Sequence, residues 1–180
     1  NAICFRKVAD TLRGSVLASI EWAIEQLKVR HYWKITYSPA GATYIPTGQK
    51  IIFKGLDKAE KLKSIRIPRG FFKYLWFEEL PEFDGEEEIR SVRQSILRGG
   101  DGKVVFYSMN PPRDPKHWAN VEAGTEKPKK LVHHSSYEQA PPSWLGKKFI
   151  EDAEWLKENN HFLWSHEYAG IPTGLDESVI

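Results

Sequence analysis

Two adjacent carboxylates, Glu78 and Glu79, follow directly on the apolar run Tyr74-Leu75-Trp76-Phe77. An unbroken apolar run of that length suits a strand buried on both faces of a parallel sheet. Open α/β sheets bind ligands outside the carboxyl ends of such strands. In nucleotide-hydrolysing folds one acid at that place is associated with Mg²⁺, and a second orients and deprotonates the attacking water. Successive residues of an extended strand point to opposite sides, so the two acids can hold separate tasks. The plainer reading is that they open a solvated acidic segment with Glu82, Asp84, Glu86, Glu87 and Glu88. Those later charges suit the start of a helix.

A second candidate is Tyr107-Ser108-Met109-Asn110-Pro111. Here an apolar run, Lys103 to Tyr107, ends in small polar groups that can touch a terminal phosphate or its attacking water. The same residue types also favour a simple strand-ending turn. A third is Arg69-Gly70, ten residues before Glu79 and within the basic stretch Lys58, Lys61, Lys63, Arg66, Arg69, Lys73. A surface arginine can reach the phosphates of a neighbouring subunit. The default for such a charge run is a solvated face. No phosphate-binding loop lies within the chain. Gly99-Gly100-Asp101-Gly102-Lys103 and Thr47-Gly48-Gln49-Lys50 both precede strand patterns, whereas that loop must open a helix. His133-His134 and His166-Glu167 lack partners at metal-ligand spacing, and Cys4 sits in an apolar stretch that suits the core.

The elements that must position these groups are legible in part. Ala2 to Phe5 reads as a strand. Val8, Leu12, Val16, Ile20, Ala23 and Leu27 predict one amphipathic helix across Gly14. Tyr32 to Tyr37 predicts a strand, and Thr47-Gly48 a hairpin between Thr43–Pro46 and Lys50–Phe53. A short helix is expected at 57–64. Asp84 reads as the N-cap of a helix carrying Ile89, Val92 and Ile96 and ending at Gly99-Gly100. Leu131 to Ser135 reads as a strand. Pro141-Pro142-Ser143 opens a helix with Leu145, Phe149, Ala153 and Leu156 on one side, and Trp155 and Trp164 read as packing residues. Strands alternating with helices imply an α/β domain with a mainly parallel sheet.

Composition sets the outer bounds. The chain has 180 residues, 26 Lys+Arg against 24 Asp+Glu, and 41% hydrophobic and 13% aromatic residues. That excludes a disordered chain. The single cysteine excludes a disulfide framework and a Cys-rich zinc site. No apolar run approaches the roughly 18 residues of a membrane span. The near-neutral charge leaves no strong nucleic-acid footprint on the chain as a whole.

Taken in order, the motifs resemble a known family. They are Phe5-Arg6-Lys7-Val8, Pro46-Thr47-Gly48-Gln49-Lys50-Ile51-Ile52-Phe53-Lys54-Gly55-Leu56-Asp57, Lys61-Leu62-Lys63-Ser64-Ile65 and Arg69-Gly70. Trp76-Phe77-Glu78-Glu79-Leu80, Ser108-Met109-Asn110-Pro111-Pro112, His133-His134-Ser135-Ser136-Tyr137 and His166-Glu167-Tyr168-Ala169-Gly170 follow. The pattern resembles the ATPase domain of the large subunit of tailed-phage terminases, in particular the PBSX-like group, over nearly the whole chain.

The resemblance implies an α/β P-loop NTPase-like domain of the RecA/ASCE type, with a mainly parallel sheet flanked by helices. It implies that Tyr74 to Phe77 is the Walker B strand, Glu78 the metal-associated acid and Glu79 the catalytic glutamate. Ser108 and Asn110 would belong to the coupling motif that follows the γ-phosphate, and Arg69 would act in trans between motor subunits. Cofactors would be ATP and Mg²⁺. Partners would be double-stranded viral DNA, the portal protein, the terminase small subunit and other large subunits in a ring, in the host cytoplasm and transiently on the procapsid. No membrane is implied. Residues 1–170 would be the ATPase domain without its Walker A segment, expected upstream of Ala2, and 171–180 a linker toward a nuclease domain. Without Walker A, the chain alone is not expected to hydrolyse ATP. The alternative is a non-catalytic DNA- or protein-interaction domain that keeps the NTPase fold.

Overall fold

The computed structural model describes residues 1–56, 65 and 67–174, with the backbone alone at residues 10 and 13. The helix expected at 57–64 lies outside the described residues. The chain forms two compact units, Asn1–Met109 and Asn110–Ile180.

The first unit is built on a six-stranded sheet. Its strands are β1 (Ala2–Arg6), β2 (Trp33–Tyr37), β3 (Ala40–Tyr44), β4 (Gln49–Gly55), β5 (Tyr74–Glu78) and β6 (Val104–Ser108), in the spatial order β2-β3-β4-β1-β5-β6. β1 pairs in parallel with β4 and β5, and β5 with β6, while β2-β3-β4 is an antiparallel meander. Only β3 runs against the rest, as expected of a mainly parallel sheet. The Thr47-Gly48 hairpin forms between β3 and β4, with Gly48 N–H donating to Tyr44 O at 2.8 Å.

Alternation along the strands divides the sheet into two faces. Cys4, Phe53, Ala42 and Ile51 lie on one face. There Leu12, Val16 and Leu17 pack on Cys4 and Phe53, with Ile20, Ile35 and Trp76 around them. Phe5 and Phe77 lie on the other face, both fully buried, and stack with centroids 5.4 Å apart. Phe83 meets Phe77 edge-on at 5.6 Å.

Three local expectations are corrected in this unit. The helix predicted from Val8 to Leu27 is a 3₁₀ turn (Ala9–Leu12), a π turn (Arg13–Leu17) and then α1 (Ala18–Gln26). The π turn carries Gly14, and its wider turn lets the adjacent residues Val16 and Leu17 both be buried, at 1% and 0% exposure. Second, α2 (Glu86–Ile96) is capped at Gly85, not Asp84. Lys7 Nζ holds the Asp84 carboxylate at 2.6 Å, so the backbone turns at Gly85 with φ 145°, a conformation that glycine favours. Ile89, Val92 and Ile96 are buried as predicted. Third, β5 is not buried on both faces. Leu75 and Phe77 are fully buried, but Tyr74 is 41% exposed on the opposite face.

The second unit contains α3 (Trp118–Gly124), α4 (Pro142–Leu145), α5 (Lys147–Asn159) and α6 (His161–Glu167). Gly146, at φ 80°, breaks the single helix predicted from Pro142 into α4 and α5. Tyr137 organises the packing: its ring meets Phe149 and Tyr168, and its hydroxyl donates to Glu154 and accepts from Trp164 Nε1. Trp164 is buried as expected, whereas Trp155 is exposed on α5. Residues 131–135 form no strand. Leu131 lies open to solvent, and His134 Nε2 is 2.8 Å from Ala169 O. No helix among the described residues is long and apolar enough to cross a membrane.

Candidate functional site

The parallel register places the carboxyl ends of β1, β5 and β6 side by side. Phe5 is level with Phe77, and Glu78 with Ser108. The next residues of the three strands therefore gather Arg6, Lys7, Glu78, Glu79 and Ser108 at one edge of the sheet. This is where an open α/β sheet presents its ligand-binding groups.

Arg6 is the hub. Its Nε and Nη2 donate to the two oxygens of Glu82 at 3.3 and 3.2 Å, and Nη1 donates to Ser15 Oγ at 2.9 Å. Arg6 Nε also lies 3.2 Å from Glu78 Oε2. Its N–H is aimed at Glu82, so Glu78 Oε2 is close to a cation yet buried without a hydrogen-bond donor among the described residues. Beside Arg6, Lys7 Nζ bridges Asp84 at 2.6 Å and Glu88 at 2.8 Å. Burial pulls the Lys7 pKa down, but its hydrogen bonds to Asp84 and Glu88 outweigh that and hold it up.

Glu78 and Glu79 differ through the backbone. Glu78 is the last residue of β5 and shares a face with Trp76. Glu79 leaves the strand in the left-handed region, at φ 57° and ψ 59°, and starts the 3₁₀ turn Leu80–Glu82. A non-glycine residue is uncommon there, and such residues collect at functional sites. Strand alternation thus stops at Glu78, and the left-handed turn sets the direction of Glu79. The Glu79 carboxylate makes no hydrogen bond or ion pair among the described residues, whereas Glu78 and Glu82 both lie against Arg6.

Burial raises the Glu78 pKa above the ordinary carboxylate value; Arg6 opposes this, and Glu79 and Glu82 add to it. The folded protein therefore holds the Glu78 proton more tightly than the unfolded chain. The stability so gained is full below the unfolded pKa and is lost as pH rises through the folded one. Glu78→Gln is expected to raise the melting temperature at neutral pH, and the gain should vanish below about pH 4.5, where both forms are uncharged. Thermal unfolding of both proteins from pH 4 to 8 measures this; an equal gain at every pH would exclude burial of the charge as its cause.

Five carboxylates lie around two cations at this edge, and among the described residues one buried carboxylate oxygen, Glu78 Oε2, has no donor. No group of three or more candidate metal ligands occurs among the described residues, so a divalent cation here would be held by Glu78 with its remaining ligands from water or phosphate oxygens. Ser108 accepts a 2.7 Å hydrogen bond from Trp76 Nε1, which fixes its hydroxyl on the Glu78 side of the sheet. Asn110 belongs to the second unit; the boundary between the units falls inside Ser108-Met109-Asn110.

Arg69 is not part of this cluster. Its carbonyl, with that of Phe71, is held by Asn1 at the start of β1, which is the amino-terminal edge of the parallel strands. The length of β5, about 13 Å from first to last Cα, separates that edge from Glu78. The side chain of Arg69 is exposed.

The motif reading missed any role for Arg6 and Lys7. The available signal was a pair of cations at the carboxyl end of an apolar strand. Its meaning depends on β1 lying beside β5, which local sequence does not reveal.

Comparison with known proteins bears on the whole chain. Residues 1–171 match the phage terminase large subunit family. The terminase large subunit of Bacillus phage SPP1 is 39% identical over 183 residues, an alignment covering 96% of this chain and 42% of that protein. The chain thus spans about two-fifths of the length of this curated relative. The large terminase of a thermophilic bacteriophage superposes with a TM-score of 0.69 at 16% identity, over 95% of this chain and 40% of that one. A second structure of that terminase, in complex with ADP, gives 0.68 over 96% and 40% at the same identity. The large terminase of bacteriophage HK97 gives 0.56 at 9% identity, over 98% and 34%. At such identities the structural likeness establishes the fold, a mixed α/β domain with a mostly parallel six-stranded sheet. The family match rests on the sequence, and by it the chain belongs to the phage terminase large subunit family.

Proposed function

We propose that this chain is the core of a P-loop-type ATPase domain, of the RecA/ASCE kind, in a motor that packages viral DNA into a procapsid. The observation that carries the reading is the placement of Glu78, Glu79 and Ser108 together at the carboxyl edge of β5 and β6. Glu79, whose carboxylate has no hydrogen bond or ion pair among the described residues, takes a proton from the water that attacks the γ-phosphate. Glu78 would hold the Mg²⁺ of MgATP, and that ion, when bound, would offset the negative charge of the phosphoryl oxygens. Ser108 and Asn110 bracket the boundary between the two units, which suits a segment that passes the phosphate state on as movement. Arg69, at the far edge, serves the site of a neighbouring subunit.

The phosphate loop has a natural place in this scheme. Among the described residues β6 pairs only with β5, which leaves its outer edge open there. Beside it Tyr74, Trp76 and Phe106 line an apolar cavity of about 420 Å³ that reaches Ser108. A Walker A strand and helix seated there would bring the phosphates to Glu78. Residues 1–170 are then the ATPase domain without that segment, followed by a linker toward a nuclease domain. In the host cytoplasm the motor would engage double-stranded viral DNA, the portal protein, the terminase small subunit and further large subunits in a ring.

ATP turnover by the complete protein, assayed with Mg²⁺ and duplex DNA, tests the reading. DNA-stimulated hydrolysis is expected. A complete protein that binds DNA but neither binds nor hydrolyses MgATP would reduce the fold to an interaction domain.

A further inference from the structure

The described helices cover the two faces of the sheet unequally, and the two areas that no described helix covers differ in chemistry. One is the apolar area around Tyr74 and Phe106. The other lies on the meander β2-β3-β4, on the face opposite Leu12, Val16 and Leu17. Alternation and register place Lys34, Thr43 and Lys50 in one row across three strands, with Thr36 and Gly41 in the next row and Lys54 further along β4. All three lysines are exposed.

Among the described residues this second area has no counter-charge. From Gln26 to Leu56 the sequence has no Asp or Glu, against five Lys and Arg, in a chain whose totals nearly balance. Lys34, Lys50 and Lys54 make no ion pair or hydrogen bond through their ammonium groups among the described residues. The nearby acids Glu21 and Glu25 of α1 are turned to other partners, Tyr37 and Arg30. Strand pairing fixes the backbone spacing across this face. Lys34 and Lys50 stand two strand spacings apart, about 10 Å, and Lys50 and Lys54 about 13 Å apart along one strand. Between them lie Thr36, Gly41 and Thr43, and Ile52 stands between Lys50 and Lys54 on β4.

We infer that this face is a docking surface for the phosphate backbone of duplex DNA. Ammonium groups on a fixed lattice suit regularly spaced phosphates, and threonine hydroxyls can add hydrogen bonds to phosphate oxygens. Beside the three lysines this face offers Ile52 as its apolar contact among the described strand residues, whereas binding of an acidic protein segment generally needs a larger apolar anchor. No base-reading side chain projects from it, so binding is independent of sequence. The inference rests on the packaging-motor reading for its partner, but its physical basis is charge complementarity alone.

The experiment is anisotropy of a labelled mixed-sequence duplex titrated with the chain, without nucleotide, at several salt concentrations. The test variant is Lys34→Gln/Lys50→Gln/Lys54→Gln. The control is Arg90→Gln/Lys147→Gln/Lys148→Gln, which removes equal charge from side chains that pair with Glu87, Glu151 and Asp152. If each lysine neutralises one phosphate, the test variant's log–log salt slope is shallower than that of the unmodified chain by about 2.7. Between about 50 and 200 mM salt, the unmodified chain then loses about 40-fold more affinity than the test variant. The control should keep the unmodified slope. Equal loss in both variants, or an unchanged slope in the test variant, overturns the inference. Displacement of the duplex by polyglutamate at equal charge concentration also overturns it, in favour of an acidic protein partner. Because no nucleotide is present, failure of the ATPase reading would leave this measurement intact.

Discussion

Glu79→Gln in the complete protein is expected to lower ATP turnover by about 10²–10⁴-fold, the range for loss of a positioned general base. The substitution keeps the size and shape of the side chain and removes its ability to accept a proton. It breaks no hydrogen bond or ion pair among the described residues, because the Glu79 carboxylate has none there. The contact that does anchor Glu79 is made by its backbone: its carbonyl accepts from Glu82 N–H at 3.0 Å, and the substitution leaves this in place. The left-handed backbone at Glu79 is equally open to Gln. MgATP affinity should therefore stay close to that of the unmodified protein while kcat falls. Steady-state turnover and equilibrium nucleotide binding, measured side by side, separate the two effects. Near-normal turnover would move the general base elsewhere, and the next carboxylate to examine would be Glu82.

Arg69→Ala should be comparably severe, about 10³–10⁵-fold if the guanidinium stabilises charge on the transferring phosphoryl group. The geometry makes a specific demand on how that loss appears. Within one chain, Arg69 stands at the amino-terminal edge of the strands and Glu79 at the carboxyl edge, so it serves another subunit's site or none. Its backbone carbonyl, not its side chain, holds Asn1, so truncation leaves the start of β1 anchored. Mixing Arg69→Ala subunits with subunits disabled in the phosphate loop tests the point. A trans role predicts loss of turnover at every site that faces a mutant arginine, with activity depending on the mixing ratio as neighbours change. Turnover that follows only the number of intact phosphate loops would assign Arg69 to the solvated basic stretch around it.

The strands that place these residues were readable because their signals are local. β1, β5 and β6 are short apolar runs, and the β3–β4 hairpin turns at Thr47-Gly48. The buried face of α2 follows from its helical period. The errors occurred where a local preference met a tertiary partner. Asp84 is a good N-cap in isolation, but Lys7, distant in sequence, takes its carboxylate and moves the cap to Gly85. The apolar period from Val8 to Leu27 is helical on paper. The sheet needs Val16 and Leu17 on one side, and a π turn supplies that. Leu131 to Ser135 has strand-like composition but no neighbouring strand to pair with, and composition alone cannot provide one.

The family, the α/β class and the pair of acids at the end of an apolar strand were all legible in the chain's residues. Each depends on residue type and on spacing within a few positions. How the two acids differ came from the fold. The neighbouring strand β1 brings Arg6 against Glu78 and Glu82, and a left-handed turn sets Glu79 apart, with no partner for its carboxylate among the described residues. The fold also separated Arg69 from the site by the length of a strand and gathered Lys34, Lys50 and Lys54 on one bare face. Such relations follow from strand order and register, which join residues tens of positions apart, and local pattern carries no record of them.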